Sequence, residues 1–448
     1  MTNEKDGREI VLDMLLQVID GKEFGHRVLG RALRYYQDKN KQERAFISRL
    51  FIGTIKHYLT LDYVIEQFSS LPTRKMKPFI RNLLRLSVYQ LLYMDSIPAS
   101  AVCNEAVKLA KKRGFTRLSG FINANLRNIA RMGEVKYPDE DENIVTYLSI
   151  RYSTPTWIAD MLLKQYDLIS VEAMLEASLR DNEITIRCNR MKTTPDELQE
   201  KLIGEGVTVV EHPYLREAFV IKNFDYLESL DTFNDGLFTV QDVSSMLVGE
   251  ASGAKGKDFV VDVCAAPGGK ALHIAEKAGK VSARDLTEFK TKLIEENIVR
   301  MGIHNIEIKV WDAAAIDTDI INKADIVIAD LPCSGLGVLG KKYDIKYKLT
   351  QNQQKELVEL QRKILDVVSQ YVKPGGILIY STCTINKHEN IENMEWFLDN
   401  HDFVADSLNS YLPEVLHSET TSVGYLQLLQ GIHPTDGFFI CRMRKEGR

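Results

Sequence analysis

Over residues 1 to about 133 the apolar positions recur at helical spacing, as in Leu12, Leu15, Leu16 and Ile19, and strand-like alternation is scarce. This predicts several amphipathic helices packed on one another. Pro98 stands where one would start, before Ala-Ser-Ala-Val-Cys-Asn-Glu-Ala-Val-Lys-Leu-Ala, and Gly114 is placed to stop it after Lys-Lys-Arg. The stretch 133–143 is charged, contains Pro138 and has no apolar period, so it reads as a linker. Beyond it, Ile184-Thr-Ile-Arg-Cys-Asn reads as a strand, and Thr194-Pro-Asp-Glu197 offers an N-cap, a first-turn proline and a capping-box acid. That helix should end near Gly204 and Gly206, with the next strand at 207–210, which makes a small β-α-β unit. From about Gly236 strands and helices alternate: strands at 259–263, 281–283, 306–310 and 326–329, a long amphipathic helix at 351–371, a Pro374-Gly-Gly turn, then strands at 377–380 and 438–442. Such alternation predicts a doubly wound sheet with helices on both faces. The expected organisation is helical over 1–133, small α/β over 144–235 and Rossmann-like over 236–448.

With 448 residues, 44% of them hydrophobic, there is apolar material for two or three domain cores. No apolar run approaches the roughly 20 residues that span a bilayer, and Met-Thr-Asn-Glu-Lys-Asp-Gly-Arg at the start lacks the apolar core of a signal peptide. The expectation is a cytoplasmic protein with no membrane partner. Six cysteines (103, 188, 264, 333, 383 and 441) show neither C-x-x-C pairs nor nearby histidine ligands, which argues against a disulfide framework and a structural metal. The net charge of -5 conceals an asymmetry: residues 1–133 carry 23 Lys+Arg against 12 Asp+Glu, and the remainder 34 against 50. A basic segment on an acidic chain points to a polyanion partner, although a solvated helical surface explains part of the excess. Lys111-Lys-Arg113, at a helix C-terminus, complements the helix dipole and need not bind anything.

The segment Asp262-Val-Cys264-Ala265-Ala266-Pro267-Gly268-Gly269-Lys270 places a glycine-rich turn between strand and helix, a nucleotide-type site. The G-x-G-x-x-G of dinucleotide enzymes is absent. Asp285 ends the second strand, where a carboxylate accepts from ribose hydroxyls, and Asp312 follows the third, placed for an adenine amino group. This suits S-adenosyl-L-methionine, which has no pyrophosphate to neutralise. Asp330-Leu-Pro-Cys333 and Tyr380-Ser-Thr-Cys383 then bring a carboxylate and two thiols to strand ends. Carbon 5 of a pyrimidine needs such a thiol: addition at carbon 6 makes carbon 5 nucleophilic, and a base must later remove the carbon 5 proton. A methyltransferase acting on oxygen or exocyclic nitrogen does not. Chemistry alone leaves the two thiols unranked.

These motifs, together with Thr435-Asp-Gly-Phe-Phe439, resemble those of the RNA cytosine-5 methyltransferases. Residues 1–133 resemble the helical RNA-binding domain of the antitermination factor NusB, notably in Asn104-Glu-Ala-Val and Gly120-Phe-Ile-Asn-Ala-Asn-Leu126. The combination is similar to the bacterial ribosomal RNA small-subunit methyltransferase B family. The resemblance implies a multidomain fold: an all-α NusB-like domain, a small α/β RNA-binding extension and a Rossmann-like methyltransferase domain beginning around Gln241-Asp242. It implies that Cys383 attacks carbon 6, that Cys333 assists release, and that Asp330 stabilises the ring near N3 close to the methyl donor. Cys264 to Lys270 would line the donor pocket, with Asp285 on the ribose and Asp312 near the adenine. The implied partner is 16S rRNA or a small-subunit assembly intermediate, with no DNA. Lys341-Lys342 before Asp344, Thr384-Ile-Asn-Lys-His388, Trp311 and Arg284 depart from the family's usual residues, and a lysine binds phosphate as a point charge rather than a fork. Cys103, Cys188 and Cys441 read as packing residues, while Tyr152 and Trp157 suit either base stacking or a core. Two rival readings are a tRNA cytosine-5 methyltransferase and a non-catalytic RNA-binding or antitermination protein.

Overall fold

The computed structural model describes residues 5–181 and 183–447. The chain divides into two compact units, Met1–Arg180 with Leu339–Lys348, and Asp181–Val338 with Leu349–Arg448. Among the described residues no helix is long and apolar enough to cross a membrane.

The first unit is helical, as the periodicity predicts. Helices Gly7–Leu15, Lys41–Lys56, Pro78–Tyr93, Ala99–Lys112 and Ser119–Ala130 bury one apolar core that includes Leu12, Leu15, Phe51, Leu83, Leu84 and Leu126. Each such side chain contributes about 1.5–3 kcal/mol by leaving water. Pro98 is the N-cap of Ala99–Lys112, and Gly114 has the positive φ of a helix stop. Lys112 and Arg113 are committed internally: Lys112 pairs with Glu9 at 2.6 Å, and Arg113 with Glu9 at 3.0 Å and Asp13 at 2.7 Å. Three further helices, Ile144–Arg151, Thr156–Gln165 and Leu168–Leu179, belong to this unit.

The segment Leu339–Lys348, distant in sequence, is woven into the same unit. Asp344 accepts from the Gly25 amide at 2.9 Å and from Lys348 at 2.7 Å, and Tyr343 packs edge-on to Phe51. The Lys346 ammonium faces the carbonyls of Lys56 and Tyr152, and burial pulls its pKa down to about 7. Asp344 thus anchors this segment through buried structural bonds.

In the second unit an antiparallel sheet is formed by β1 (Ile184–Cys188), β2 (Thr208–Glu211), β3 (Ala218–Lys222) and β4 (Phe238–Val240), in the order β2-β3-β1-β4. The helix Pro195–Gly204 carries the expected capping box at Thr194 and Glu197. The larger sheet consists of β5 (Phe259–Asp262), β6 (Lys280–Asp285), β7 (Ile306–Val310), β8 (Ala324–Asp330), β9 (Val372–Thr382), β10 (Phe403–Ala405), β11 (Tyr425–Leu428) and β12 (Phe438–Lys445). Its order is β10-β12-β9-β8-β5-β6-β7, with β11 also on β12; β5 to β9 are parallel, and β12 runs antiparallel to β9.

One local expectation differs. Pro374-Gly-Gly is not a turn before a strand but lies inside β9, where the register on β8 jumps from Ala324↔Val372 to Ile326↔Ile377. Proline lacks a ladder donor and Gly375 has φ of 75°, so the extra residues bulge out while the pairing resumes.

Candidate active site

Successive parallel strands end side by side, and that is where the chemistry collects. Beyond β5 the chain turns through Cys264, whose amide reaches Asp262 at 3.3 Å, and Ala265, whose amide reaches the Arg284 carbonyl at 2.8 Å. Ala266 donates to Asp285 at 3.0 Å, so the carboxylate ending β6 clasps the loop after β5. The Ala266-Pro267 peptide is cis, and Gly268 takes φ of 110°, open only to glycine, before the helix Gly269–Ala275. Asp285 also accepts from the Leu286 amide at 2.7 Å and pairs with Lys290 at 2.9 Å. Asp312, exposed, accepts from the Ala314 amide just beyond β7.

The loop closes one wall of a cavity of about 150 Å³, lined also by Gln241, Asp242, Ser245, Asp262 and Asp330. Of the expected donor-site residues, Cys264, Ala265, Ala266, Pro267, Gly269, Lys270 and Asp330 line it. Gly268, Asp285 and Asp312 are not in its lining: Gly268 shapes the turn, Asp285 bonds the Ala266 amide, and Asp312 follows β7. Asp330, ending β8, accepts from Lys270 at 2.7 Å and from Ser381 at 2.8 Å. Burial pulls the Lys270 pKa down, but Asp330 outweighs it and the net shift is upward, so the cation persists. Burial pushes the Asp262 carboxyl up to about 7, and its Oδ2 has no hydrogen-bond partner among the described residues. A wall with this unmatched acceptor, and with the unmatched donor Gln241 Nε2, fits a polar ligand that is both cationic and anionic, as S-adenosylmethionine is.

Three residues after Asp330 and two after Ser381 stand Cys333 and Cys383, whose Sγ atoms lie 3.2 Å apart. The hydrogen bond with Cys383 pushes the Cys333 thiol up, and burial and Glu389 add to the shift. The expected pair is therefore brought together from positions 50 residues apart. Cys103, Cys188 and Cys441 are buried in separate apolar surroundings.

Glu389 holds the two thiol loops. Fully buried, it accepts from the Ser334 amide at 2.8 Å, the Ser334 hydroxyl at 2.5 Å, Asn386 at 3.0 Å and Gln361 at 3.1 Å. Gly337 donates to the Cys383 carbonyl at 3.1 Å and accepts from Gly437 at 2.8 Å; a Cβ on Gly337 would lie 1.9 Å from the Gly437 oxygen. The glycine of the Thr435-Asp-Gly motif is thus a close-approach position. Sequence reading singled out neither Glu389 nor Gly337, and the only local signal is the acid-amide pair Glu389-Asn390 shortly after Cys383.

Sheet order, turn and thiols together define a methyltransferase of the open α/β class. Family models match in three stretches: 16S rRNA methyltransferase RsmB/F over 253–444, the NusB family over 5–131, and an RsmF/B-like ferredoxin-like domain over 154–225. A probable ribosomal RNA small subunit methyltransferase B of Bacillus subtilis is 35% identical, covering 98% of this chain and 99% of that one; its Synechocystis counterpart is 31% identical over 90% and 91%. Among solved structures, the crystal structure of PH0851 matches with TM-score 0.82 and 24% identity over 99% of this chain and all of that one, which shows the fold. A methyltransferase homologue from Pyrococcus horikoshii matches with TM-score 0.58 and 26% identity over 68% and 99%. The chain belongs to the ribosomal RNA small subunit methyltransferase B family. It is an S-adenosyl-L-methionine-dependent rRNA methyltransferase with a NusB-type helical domain and a ferredoxin-like domain.

Proposed function

We propose that the protein methylates carbon 5 of one cytosine in 16S rRNA, or in a small-subunit assembly intermediate, through a covalent bond between Cys383 and carbon 6. The observation that carries the reading is the approach of Cys333 and Cys383 beside Asp330, at the mouth of the same strands that bear the donor loop. A pair of thiols is superfluous for methylation of oxygen or an exocyclic amine and serves the pyrimidine ring.

The site residues have distinct tasks. The hydrogen bond between the sulfurs makes the two thiols titrate as a pair, and the family resemblance assigns attack to Cys383 and release to Cys333. Lys270, whose charge reaches Cys383 as well as Asp330, favours negative charge on that sulfur. The Cys383 electron pair forms the S–C6 bond and the C5=C6 pair becomes available at carbon 5. S-adenosylmethionine supplies the electrophilic methyl group. Cys333 then assists release: as a thiolate it takes the carbon 5 proton, the C5–H electron pair re-forms C5=C6, and the Cys383–C6 bond breaks with its electrons returning to the Cys383 sulfur. Asp330 stabilises the ring near N3, Cys264 to Lys270 hold the donor, Asp285 meets its ribose and Asp312 its adenine. The target base reaches the thiols unpaired or flipped. Within the chain, 1–133 supplies the attraction to RNA, 144–235 extends the RNA contact, 236–448 carries the reaction, and the enzyme works in the cytoplasm.

Bisulfite sequencing of 16S rRNA and tRNA from cells with and without the gene tests this. One 16S cytosine should lose methylation and regain it with the unaltered gene but not with Cys383→Ala. Cys333→Ala should accumulate an RNA-protein adduct that survives denaturing electrophoresis. Loss at a tRNA cytosine alone would move the substrate, and loss nowhere would end the reading.

A further inference from the structure

We infer that Gln241, oriented by Arg187 of the ferredoxin-like sheet, is a binding residue for the carboxylate end of the methyl donor, so that the small domain completes the donor site. The inference rests on the S-adenosylmethionine-dependent reaction.

Gln241 follows β4 and is only 6% exposed, yet it lines the donor cavity. Its backbone amide donates to the Thr185 carbonyl of β1 at 3.1 Å. Its Oε1 accepts from Nε of Arg187 at 2.8 Å, and Arg187, also on β1, is fully buried and pairs with Glu276. Because Arg187 can only donate, the amide oxygen must face it, and the amide nitrogen is turned the other way. That Nε2 is buried with no acceptor among the described residues. It lies beside Gly269, where an added Cβ would sit 3.7 Å from it.

The rest of the wall sharpens the assignment. Asp262 and Asp330 present carboxylates, suited to the sulfonium and the ammonium of the donor, and the Lys270 charge is already engaged by Asp330. A ligand carboxylate needs a donor, and Gln241 Nε2 is a neutral one with a buried guanidinium behind it. An unmade buried amide hydrogen bond is costly, so this one is kept for a ligand.

Titration calorimetry on the full chain separates the possibilities, using S-adenosylhomocysteine and 5′-methylthioadenosine, which lacks the amino-acid end. Gln241→Ala should weaken S-adenosylhomocysteine about tenfold or more and leave methylthioadenosine unchanged. Gln241→Glu, which adds repulsion, should weaken it further. Arg187→Gln should reproduce the split; should it fail to fold, the Gln241 variants decide. Equal weakening of both ligands, or of neither, overturns the inference. If the unaltered protein binds neither ligand, the donor reading itself falls and takes the inference with it.

Discussion

Two neighbouring parts of the second unit handle buried polar groups in opposite ways. Around the thiols every carboxylate oxygen of Glu389 is matched, by the Ser334 amide and hydroxyl, Asn386 and Gln361, and Asn390 bridges Thr382 and Gln427. In the cavity beside the glycine-rich turn, Asp262 Oδ2 and Gln241 Nε2 are left unmatched among the described residues. A fully satisfied network is rigid and holds two sulfurs in place, whereas unmatched groups carry a desolvation cost that a ligand relieves. The Glu389 cluster and the cavity wall thus differ in their hydrogen-bond accounting.

Breaking the satisfied side should have the largest effect. Glu389→Ala leaves several donors buried without an acceptor and should cost on the order of 3 kcal/mol or more, read by urea denaturation, together with loss of methylation. Gly337→Ala drives a methyl group into the Gly437 carbonyl and should cost about 1–3 kcal/mol, with kcat falling more than stability because the Cys383 loop is displaced. The receptive side should respond to pH instead. Asp262 titrates near 7 in the folded chain and near 4 when unfolded, so the native state holds the extra proton and stability falls as pH rises from about 4 to 7. Asp262→Asn should flatten that slope in denaturation measured across the window and stabilise the protein above pH 7. The smallest effect sharpens the contrast among thiols: Cys441→Ala, deep in the sheet core, should cost about 1 kcal/mol in thermal unfolding and leave methylation intact, unlike Cys383→Ala.

Much of the architecture could be read in advance where the signal is local. Thr194 to Glu197 form a capping box because both partners lie within one turn, and the strand at 306–310 is bounded as its apolar pattern suggests. The glycine-rich turn and the Pro-Cys and Thr-Cys motifs could be singled out in advance because each is a contiguous stretch at the end of an apolar strand. The β9 bulge was missed because proline and glycines normally announce a turn, and here the pairing partner β8 overrides them. β3 and β4 were missed because a short strand between polar loops has little pattern of its own.

Periodicity, charge and motif spacing are properties of short segments, and they were enough for the three kinds of domain, the basic helical segment, the methyl donor and the two candidate thiols. The partners of those groups lie tens of residues away or more, as Arg187 does from Gln241, Glu389 from Ser334, Gly437 from Gly337 and Asp344 from Gly25. No local pattern encodes such pairings. Only the folded chain, by excluding water and forcing each buried polar group to find a partner or wait for one, decided which residues became scaffold and which became site.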